Sequence, residues 1–457
     1  MAGIGFTLRK LVDRNDLSGA FQAFFHATLY TSGPWILTII ALGMINLTMQ
    51  PIFKALEDFQ SILLFNFCFS FVFTAPFINV TTRKVSDAIF LKDFTPVVGS
   101  LLLALGLYYA ITLPLISLFY VGFTTLSLGT AYMATVNFAL LSGVWIASLY
   151  ISALKDYKSV TMSFMIGLLT SVVLTMFFYN RNTAFNMLMG FNTGIAVTFT
   201  SFVALVYVEY PPVIEGLKGS LFAYRKYVRV GLGGLLYSVA VWIDKWIMWF
   251  SPDAYTYSSG ITTCPLYDSA MFFAYISVIP SMALFMLAYE TAFFEDFVNY
   301  YQGIINHNNL GQIENNYNKL IYSVGLHARN TIIVQGMITG SLFVLTPLIL
   351  EYIPGLSTLQ IGIFRFGLIG AALQTFTLFM TILLYYFDER VKPLIINGVY
   401  LVLNGVLTFV FMRWGLAFYG MGFFLANILT FVFAAYTVGK YMESLTYHSF
   451  ITNNPSI

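Results

Sequence analysis

Residues 361–412 read IGIFRFGLIGAALQTFTLFMTILLYY (361–386), then FDERVK (387–392), then PLIINGVYLVLNGVLTFVFM (393–412). Two long apolar stretches therefore flank a short charged loop. A membrane-spanning helix needs about 20 mostly apolar residues, and each stretch reaches that length. Backbone groups inside hydrocarbon must form hydrogen bonds within their own segment, so each stretch is expected to be helical. The pattern predicts two membrane-spanning helices joined by a loop in water.

The same alternation continues along the whole chain. Of its 457 residues, 58% are hydrophobic and 9% are charged, whereas a soluble domain carries about 25% charged residues. The chain is therefore predicted to be an all-α polytopic membrane protein, surrounded by a lipid bilayer. Its basic residues form no dense cluster, which argues against nucleic-acid binding. Twelve spans are predicted, at 27–48, 60–81, 96–119, 129–153, 159–179, 186–208, 229–250, 268–289, 330–351, 361–386, 394–412 and 419–439.

The basic residues determine the orientation of these spans. Seventeen of the 22 Lys and Arg residues fall in alternate loops on one side: Arg9, Lys10, Arg14, Arg83, Lys84, Lys92, Lys155, Lys158, Lys218, Arg225, Lys226, Arg229, Lys319, Arg329, Arg390, Lys392 and Lys440. The other side carries Lys54, Arg181 and Arg413. Cytoplasmic loops carry the excess of Lys and Arg. Both termini are therefore predicted to be cytoplasmic.

The spans divide into two sets of six. The sequence Tyr210-Pro-Pro212 ends the sixth span, because proline cannot continue a helix. The segment that follows is expected to be an amphipathic interfacial helix. The predicted parts are an N-terminal cytoplasmic interfacial segment (1–26), a first six-helix lobe (27–209), a cytoplasmic linker (210–228), a second six-helix lobe (229–440) with a cytoplasmic amphipathic insert (290–329), and a C-terminal cytoplasmic tail (441–457).

Three charged residues, Asp244, Lys245 and Arg365, lie inside predicted spans and away from the terminal residues of those spans. A charge at the centre of a span costs about 2.5–3.5 kcal/mol on insertion scales. Asp244 and Lys245 are adjacent, and Tyr237 and Trp242 precede them. Neighbouring residues point about 100° apart on a helix, so the two charges are expected to be poor partners for each other. Either they form an interfacial pair that snorkels to the membrane surface, or they line a central cavity where Asp244 could bind a proton or cation.

Arg365 lies near the outer end of the tenth span. It either snorkels outward or faces a cavity and binds a hydroxyl-rich or anionic group. Gly33 and Pro34 interrupt the first span, and a kink is expected there. Broken helices are common at transporter sites, although the kink could be purely structural. The substrate-path candidates are thus Tyr237, Trp242, Asp244, Lys245 and Arg365.

The remaining polar residues indicate packing rather than chemistry. Asn66, Asn79, Asn137, Gln374, Asn404 and Asn427 suit hydrogen bonds between helices, or contacts to sugar hydroxyls. Cys68 and Cys264 lie at different levels, so neither a disulfide nor a metal site is expected. There is no phosphate-binding loop, no metal-ligand cluster and no nucleophile with a base. The sequence predicts no catalytic residue, no metal and no cofactor.

The opening Met1-Ala-Gly-Ile-Gly-Phe-Thr-Leu-Arg-Lys-Leu11 and the later Ser32-Gly-Pro-Trp35 closely resemble the start of the PelG family. That family contains the polytopic inner-membrane component of the Pel exopolysaccharide machinery. It resembles the polysaccharide branch of the multidrug/oligosaccharidyl-lipid/polysaccharide (MOP) flippase superfamily. The resemblance implies a bacterial inner-membrane protein with two six-helix, MATE-like lobes around a central path.

The resemblance also implies a substrate and partners. The substrate would be an N-acetylgalactosamine-rich, partially deacetylated polysaccharide. The partners would be a cytoplasmic PelF-type glycosyltransferase and membrane proteins of the PelD and PelE types. Asp244 and the many aromatic residues suit such a glycan, whereas Lys245 and Arg365 fit it less simply. We expect Asp244→Asn and Arg365→Ala each to impair export while the protein still inserts and accumulates.

Three other functions stay open at this point. A MATE-like multidrug antiporter would need an ion-coupling carboxylate deep in a lobe, and the first lobe has no acidic residue at the centre of a span. A membrane-embedded enzyme would need a catalytic cluster, which the four scattered histidines do not supply. A scaffold would assemble the polysaccharide synthase without conducting its product.

Overall fold

The computed structural model describes residues 16, 18–19, 21–28, 54–151, 157–179, 183–211, 213, 217–352 and 357–452. Over these ranges the regular structure is helical, apart from one two-stranded hairpin. Eleven helical segments are long and apolar enough to cross a membrane. The remaining predicted span, at 27–48, lies outside the described residues apart from its first two, and so do Gly33 and Pro34. The predicted all-α polytopic membrane fold is confirmed.

Residues 21–28 are helical, and from residue 54 onward the next seven helices supply six of the candidate spans. They are α1 (Lys54–Leu91), α2 (Pro96–Gly122), α3 (Leu128–Ile151), α4 (Tyr157–Tyr179), α5 (Ala184–Glu209), the short α6 (Leu217–Lys226) and α7 (Val228–Met248). Helix α1 is much longer than the predicted span at 60–81. The apolar part of α1 ends near residue 81, but the helix continues through polar residues to Leu91. An i,i+4 contact at 3.6 Å between Arg83 Nε and Asp87 Oδ1 stabilises this polar part.

A small hairpin follows α7. Strands β1 (Tyr255–Thr256) and β2 (Thr262–Thr263) pair antiparallel, with Tyr255 opposite Thr263. Gly260 has a φ of +81° in the connecting turn, a conformation that glycine adopts without strain. Asp58, near the start of α1, accepts hydrogen bonds from Ser258 Oγ at 2.9 and 2.8 Å and from Ser259 N at 2.8 Å. The hairpin is therefore fixed to the end of α1.

The rest of the chain contains the other five candidate spans. Its helices are α8 (Pro265–Ile276), α9 (Ile279–Ala288), α10 (Phe294–Ile305), α11 (Leu310–Tyr352), α12 (Ile361–Tyr386), α13 (Val391–Met412), α14 (Met421–Glu443) and α15 (Leu445–Tyr447). The predicted span at 268–289 is broken into α8 and α9, because Pro280 at the second position of α9 lacks the N–H that an unbroken helix needs.

The segment predicted as a cytoplasmic amphipathic insert, 290–329, consists of helical stretches joined by a short turn. A π-helical turn (Tyr289–Phe293) leads into α10, and a tight turn at His307, with a φ of +53°, leads into α11. Helix α11 then runs for 43 residues, through the second half of the insert and the whole of the ninth predicted span. The predicted tail is also partly packed, since Tyr441, Met442 and Leu445 are buried.

The chain forms two compact units. The first contains the described residues of Ser32–Trp242 and Trp249–Pro265, and the second contains those of Gly5–Thr31, Ile243–Met248 and Leu266–Ile457. This division differs from the predicted boundary at residue 229, because the first half of α7 packs closely on α1. Gly231 approaches Val80 and the backbone of Pro76, and Gly234 approaches Asn79.

Each unit has its own apolar core. In the first, the largest fully buried side chains include Phe59, Tyr108, Phe138 and Phe202. In the second, an aromatic cluster joins α9, α10 and α12. Its members include Phe285 stacked on Phe379 with ring centroids 3.8 Å apart, and Tyr289, Phe293, Phe297 and Tyr386 in further ring contacts.

Candidate functional site

The most deeply buried charges of the described chain are Asp244 and Lys245, near the end of α7. Their exposed fractions are 0% and 6%. Lys245 Nζ lies 3.1 Å from Asp244 Oδ1 and 3.0 Å from Oδ2, so the two form a salt bridge with each other. The expectation that they are poor partners is wrong. It considered only the directions in which the Cα–Cβ bonds point, whereas the four-carbon stem of lysine can fold back over its neighbour.

The second unit supplies the surroundings of this pair. The Tyr267 hydroxyl of α8 donates to Asp244 Oδ2 at 2.8 Å. Lys245 Nζ lies 4.9 Å from the ring centroid of Tyr275, also in α8, and 5.6 Å from that of Phe423 in α14. These are cation–π distances. The Tyr275 hydroxyl in turn donates to Gln374 Oε1 in α12.

The result is a buried site that joins α7, α8, α12 and α14. A carboxylate faces an ammonium group and a phenol, and two aromatic rings face the same ammonium group. Such a set can hold a proton, a cation or the hydroxyls of a sugar, because carboxylates accept hydrogen bonds and aromatic faces stack on both cations and sugar rings. Sequence reasoning identified Asp244 and Lys245, but not Tyr267, Tyr275 or Phe423, since their contacts arise only when the helices pack.

The other two candidates from α7 differ from this pair in burial. Tyr237 and Trp242 are both half-buried. They belong to the first compact unit, whereas Asp244 and Lys245 belong to the second. Their predicted role in a substrate path therefore stays a prediction.

Arg365 has a partner that the sequence alone did not suggest. Its Nε donates to the backbone carbonyl oxygen of Phe343 at 3.2 Å, and its guanidinium carbon lies 4.7 Å from the centroid of the Phe343 ring. Pro347 lies four residues after Phe343, within the same helix α11. A residue at position 347 would normally donate its N–H to that carbonyl, but proline has none. Arg365 therefore satisfies the carbonyl that Pro347 leaves without its helical donor.

A separate polar network lies in the first unit. Asn66 Nδ2 donates to Asn137 Oδ1 at 2.9 Å, and Asn137 Nδ2 donates to Asn192 Oδ1 at 2.7 Å. Tyr120 completes the network by donating to Asn66 Oδ1 at 2.6 Å. These residues come from α1, α2, α3 and α5, so the network holds four helices together. The predicted role of Asn66 and Asn137 in hydrogen bonds between helices is confirmed, and Asn192 and Tyr120 are additional members.

The described residues also bear on metals and cysteines. No group of three or more His, Cys, Asp or Glu side chains in the described ranges could hold a metal ion. Cys68 and Cys264 are both buried, and no disulfide joins them.

A family model described as "PelG: Putative exopolysaccharide Exporter (EPS-E)" matches residues 1–450. Among curated protein sequences, none matches the chain.

Solved structures with the same fold belong to MATE and other MOP transporters. A multidrug resistance MATE family transporter of the MOP superfamily, in an outward-facing conformation, has a TM-score of 0.63 and 14% identity over 93% of this chain and 95% of its own. A MATE transporter in complex with MaL6 has a TM-score of 0.64 and 13% identity over 92% and 97%. A MOP superfamily transporter from Pyrococcus furiosus has a TM-score of 0.54 and 12% identity over 97% and 94%. At these identities the likeness establishes the fold alone.

Proposed function

The chain belongs to the PelG family of exopolysaccharide exporters, and on that basis we propose that it exports a Pel-type polysaccharide across the bacterial inner membrane. The polymer would be rich in N-acetylgalactosamine and partially deacetylated. A cytoplasmic PelF-type glycosyltransferase would deliver the growing chain, and PelD-type and PelE-type membrane proteins would complete the assembly. The observation that carries the proposal is the family match over residues 1–450, together with a transporter fold.

The pair formed by Asp244 and Lys245 is our first candidate for the polymer path. The Asp244 carboxylate lies within 3.1 Å of both the Lys245 ammonium group and the Tyr267 hydroxyl. Sugar hydroxyls both donate and accept hydrogen bonds, so they can exchange with such a set one bond at a time. Tyr275 and Phe423 add aromatic faces. The protein would perform no bond chemistry and would need no cofactor.

Arg365 is the weaker candidate. Its hydrogen bond to the Phe343 carbonyl already accounts for one donor of the guanidinium group. Arg carries five donors, so a hydroxyl-rich or anionic group could still bind the others. A structural role is sufficient to explain its position in the helix.

A multidrug antiporter of the same fold is the second candidate function. The buried carboxylate of Asp244, hydrogen-bonded by Tyr267 and paired with Lys245, would serve as the ion-coupling group that such a protein needs. Unlike the exporter, an antiporter would extrude small cationic drugs without any glycosyltransferase. A scaffold, by contrast, would support synthesis while no polymer crosses the membrane.

Reconstitution separates these functions. Inside-out vesicles that contain the full chain would be supplied with the glycosyltransferase and a sugar nucleotide on the outside. Polymer protected from an added glycosidase, and dependent on the chain, is the expected result. Polymer that stays fully digestible would overturn export and leave the scaffold. Proton-driven uptake of a drug such as ethidium, without any polymer, would favour the antiporter.

The role of the ion pair needs variants that separate stability from transport. Asp244→Asn removes the charge of one partner, and Asp244→Asn/Lys245→Met removes both. If Asp244 contacts the polymer, the double variant regains normal thermal stability but exports less than about a tenth of the normal amount. A tenfold loss corresponds to about 1.4 kcal/mol, roughly the contribution of one strong hydrogen bond. If the double variant regains both stability and export, the pair is structural.

A further inference from the structure

The short helix α6 (Leu217–Lys226) buries its small residues and exposes its large apolar ones, the reverse of a surface helix in a soluble protein. Its buried residues are the small Ser220 and Ala223. Leu221 and Phe222 are 56% and 62% exposed, and Leu217 is exposed as well. Amphipathic helices in water bury their large apolar residues and expose the small and polar ones. The exposed apolar face of α6 is therefore expected to contact an apolar surface as well as water.

Specific contacts hold α6 in this orientation. The contacts are Lys84 Nζ to Ser220 Oγ, Thr81 Oγ1 to the Tyr224 hydroxyl at 3.3 Å, and the Tyr227 hydroxyl to Asp87 Oδ2 at 2.6 Å. All of them join the α6 region to the last third of α1, within the first compact unit. The inward face is thus fixed by polar contacts along about two helical turns. The outward face cannot turn over to bury its apolar residues.

The outward face is also strongly basic. Lys218, Arg225 and Lys226 are exposed, and α6 contains no acidic residue. Around the helix axis, these three lie among Leu217, Leu221 and Phe222, since successive residues are about 100° apart. Helices that lie in the membrane interface combine large apolar residues, which enter the acyl boundary, with Lys and Arg, which are attracted to anionic lipids.

The position of α6 in the chain agrees with this surface. It lies between α5 and α7, which are both candidate membrane spans. Ten residues of helix extend only about 15 Å, too short to cross a bilayer. A segment of that length between two spans lies at the membrane surface, and the predicted side is the cytoplasmic one.

We propose that the exposed face of α6 is a binding surface for anionic phospholipids of the inner leaflet. Lys218, Arg225 and Lys226 contact the phosphate-bearing headgroups, while Leu221 and Phe222 insert among the upper acyl chains. Charge complementarity selects this occupant over a neutral lipid, and the apolar residues select a membrane over an acidic protein. This lipid-binding surface belongs to the linker in the first unit and does not depend on what the protein exports.

Site-directed fluorescence quenching tests the proposal on the full chain. Leu221→Cys would carry a bimane label in nanodiscs of 70% phosphatidylcholine and 30% phosphatidylglycerol. Bromine would be placed either on the acyl chains of the phosphatidylglycerol or on an equal amount of the phosphatidylcholine. The native Cys68 and Cys264 are buried, so the unsubstituted chain serves as the labelling control. The expected result is at least twofold stronger quenching when the anionic lipid carries the bromine.

Charge variants complete the test. Lys218→Gln/Arg225→Gln/Lys226→Gln, made in the labelled chain, should equalise the two quenching values while both stay above zero. The matched control is Lys319→Gln/Arg329→Gln/Lys440→Gln, which removes three exposed charges elsewhere and should keep the difference. Equal quenching in the labelled parent chain would overturn the preference for anionic lipid. Quenching by neither lipid would overturn membrane contact altogether and indicate a protein partner.

Discussion

At the scale of single residues, the charges of Asp244, Lys245 and Arg365 are satisfied by the protein itself. Asp244 and Lys245 form a salt bridge with each other, and Arg365 binds a backbone carbonyl. Removing one member of a buried ion pair leaves the other charge unsatisfied and costs about 3–5 kcal/mol, whereas replacing both is often nearly neutral. These residues therefore need different experiments from those that suit a solvent-exposed charge.

The first prediction concerns the ion pair. Asp244→Asn and Lys245→Met should each lower the free energy of unfolding by several kcal/mol, and the double variant should recover most of that loss. Thermal unfolding in detergent micelles would measure it. Tyr267→Phe is the control, since it removes one hydrogen bond to a charged group and should cost only about 1.5–3 kcal/mol. Additive effects in the double variant would contradict the salt bridge.

The second prediction concerns Arg365. Arg365→Gln should destabilise the normal chain but have a smaller effect when Pro347 is replaced by Ala. Alanine restores the N–H that bonds to the Phe343 carbonyl, so the arginine is no longer needed there. A double-mutant cycle on thermal stability should give a coupling of about 1 kcal/mol or more. A coupling near zero would remove the proposed link between the proline and the arginine.

From the sequence, residue positions are easier to predict than residue partners. Charges in an apolar segment are conspicuous, so the sequence singles out Asp244, Lys245 and Arg365, and their place in a substrate path stays a prediction. The partner of Arg365 lies 22 positions earlier in the chain. Proline at position 347 does signal a carbonyl without its helical donor, but which side chain reaches it depends on how α11 and α12 pack.

At the scale of helices, glycine permits the closest packing in the first unit. A Cβ atom on Gly194 in α5 would lie 2.3 Å from the backbone of Gly167 and of Ser171 in α4. The seam between α4 and α5 therefore depends on the absence of a side chain. Small residues serve this purpose in membranes, where packing rather than the hydrophobic effect brings helices together.

The third prediction follows from that seam. Gly194→Ala should lower stability by about 1–3 kcal/mol, because the backbone of α4 must shift away. Gly106→Ala in α2 is the matched control, since nothing lies within 4 Å of its Cβ position. Alanine favours a helix over glycine, so Gly106→Ala should be neutral or slightly stabilising. Equal effects of the two changes on the melting temperature would contradict the close-packed seam.

The fourth prediction concerns the start of α13. Burial raises the pKa of Glu389, but hydrogen bonds from Lys392 and from the backbone N–H of Val391 lower it more, so its pKa lies below the usual value. The contribution to stability is then present above the unfolded-state pKa near 4.5 and is lost as the pH falls through the lower folded-state pKa. Glu389→Gln should reduce stability at pH 7 by about 1 kcal/mol and flatten its dependence on pH below 4.5.

The extent of the helices could be predicted only in part. Apolarity marks where a helix crosses lipid, and for that reason the predicted spans in the described ranges lie on observed helices to within a few residues, apart from the break between α8 and α9. It does not mark where a helix ends in water, so the full lengths of α1 and α11 do not follow from it. Helix α1 continues past its apolar part without Pro or Gly to stop it, and this signal is present in the sequence. The polar first half of α11 contains Gly311 and Gly325 and is helical nonetheless.

At the scale of the whole molecule, the charge pattern makes a prediction about topology. Asp253→Cys, next to the hairpin on the predicted outer side of the membrane, should react with a membrane-impermeant maleimide in intact cells. Lys440→Cys should react only after the cells are permeabilised. Both positions are exposed, and the native cysteines are buried, so the unsubstituted chain gives the background. Labelling of Lys440→Cys in intact cells would contradict the predicted cytoplasmic C-terminus.

The adjacency of Asp244 and Lys245 has a consequence for biogenesis. Each charge alone would raise the cost of moving α7 from the translocon into lipid by about 2.5–3.5 kcal/mol. Because the two residues are neighbours on one helix, they can neutralise each other as soon as that helix forms, before Tyr267 has been synthesised. Arg365 likewise finds Phe343 already made when it leaves the ribosome. Asp244, Lys245 and Arg365 thus acquire partners in the order of translation, so that none of these three charges has to wait for a later span.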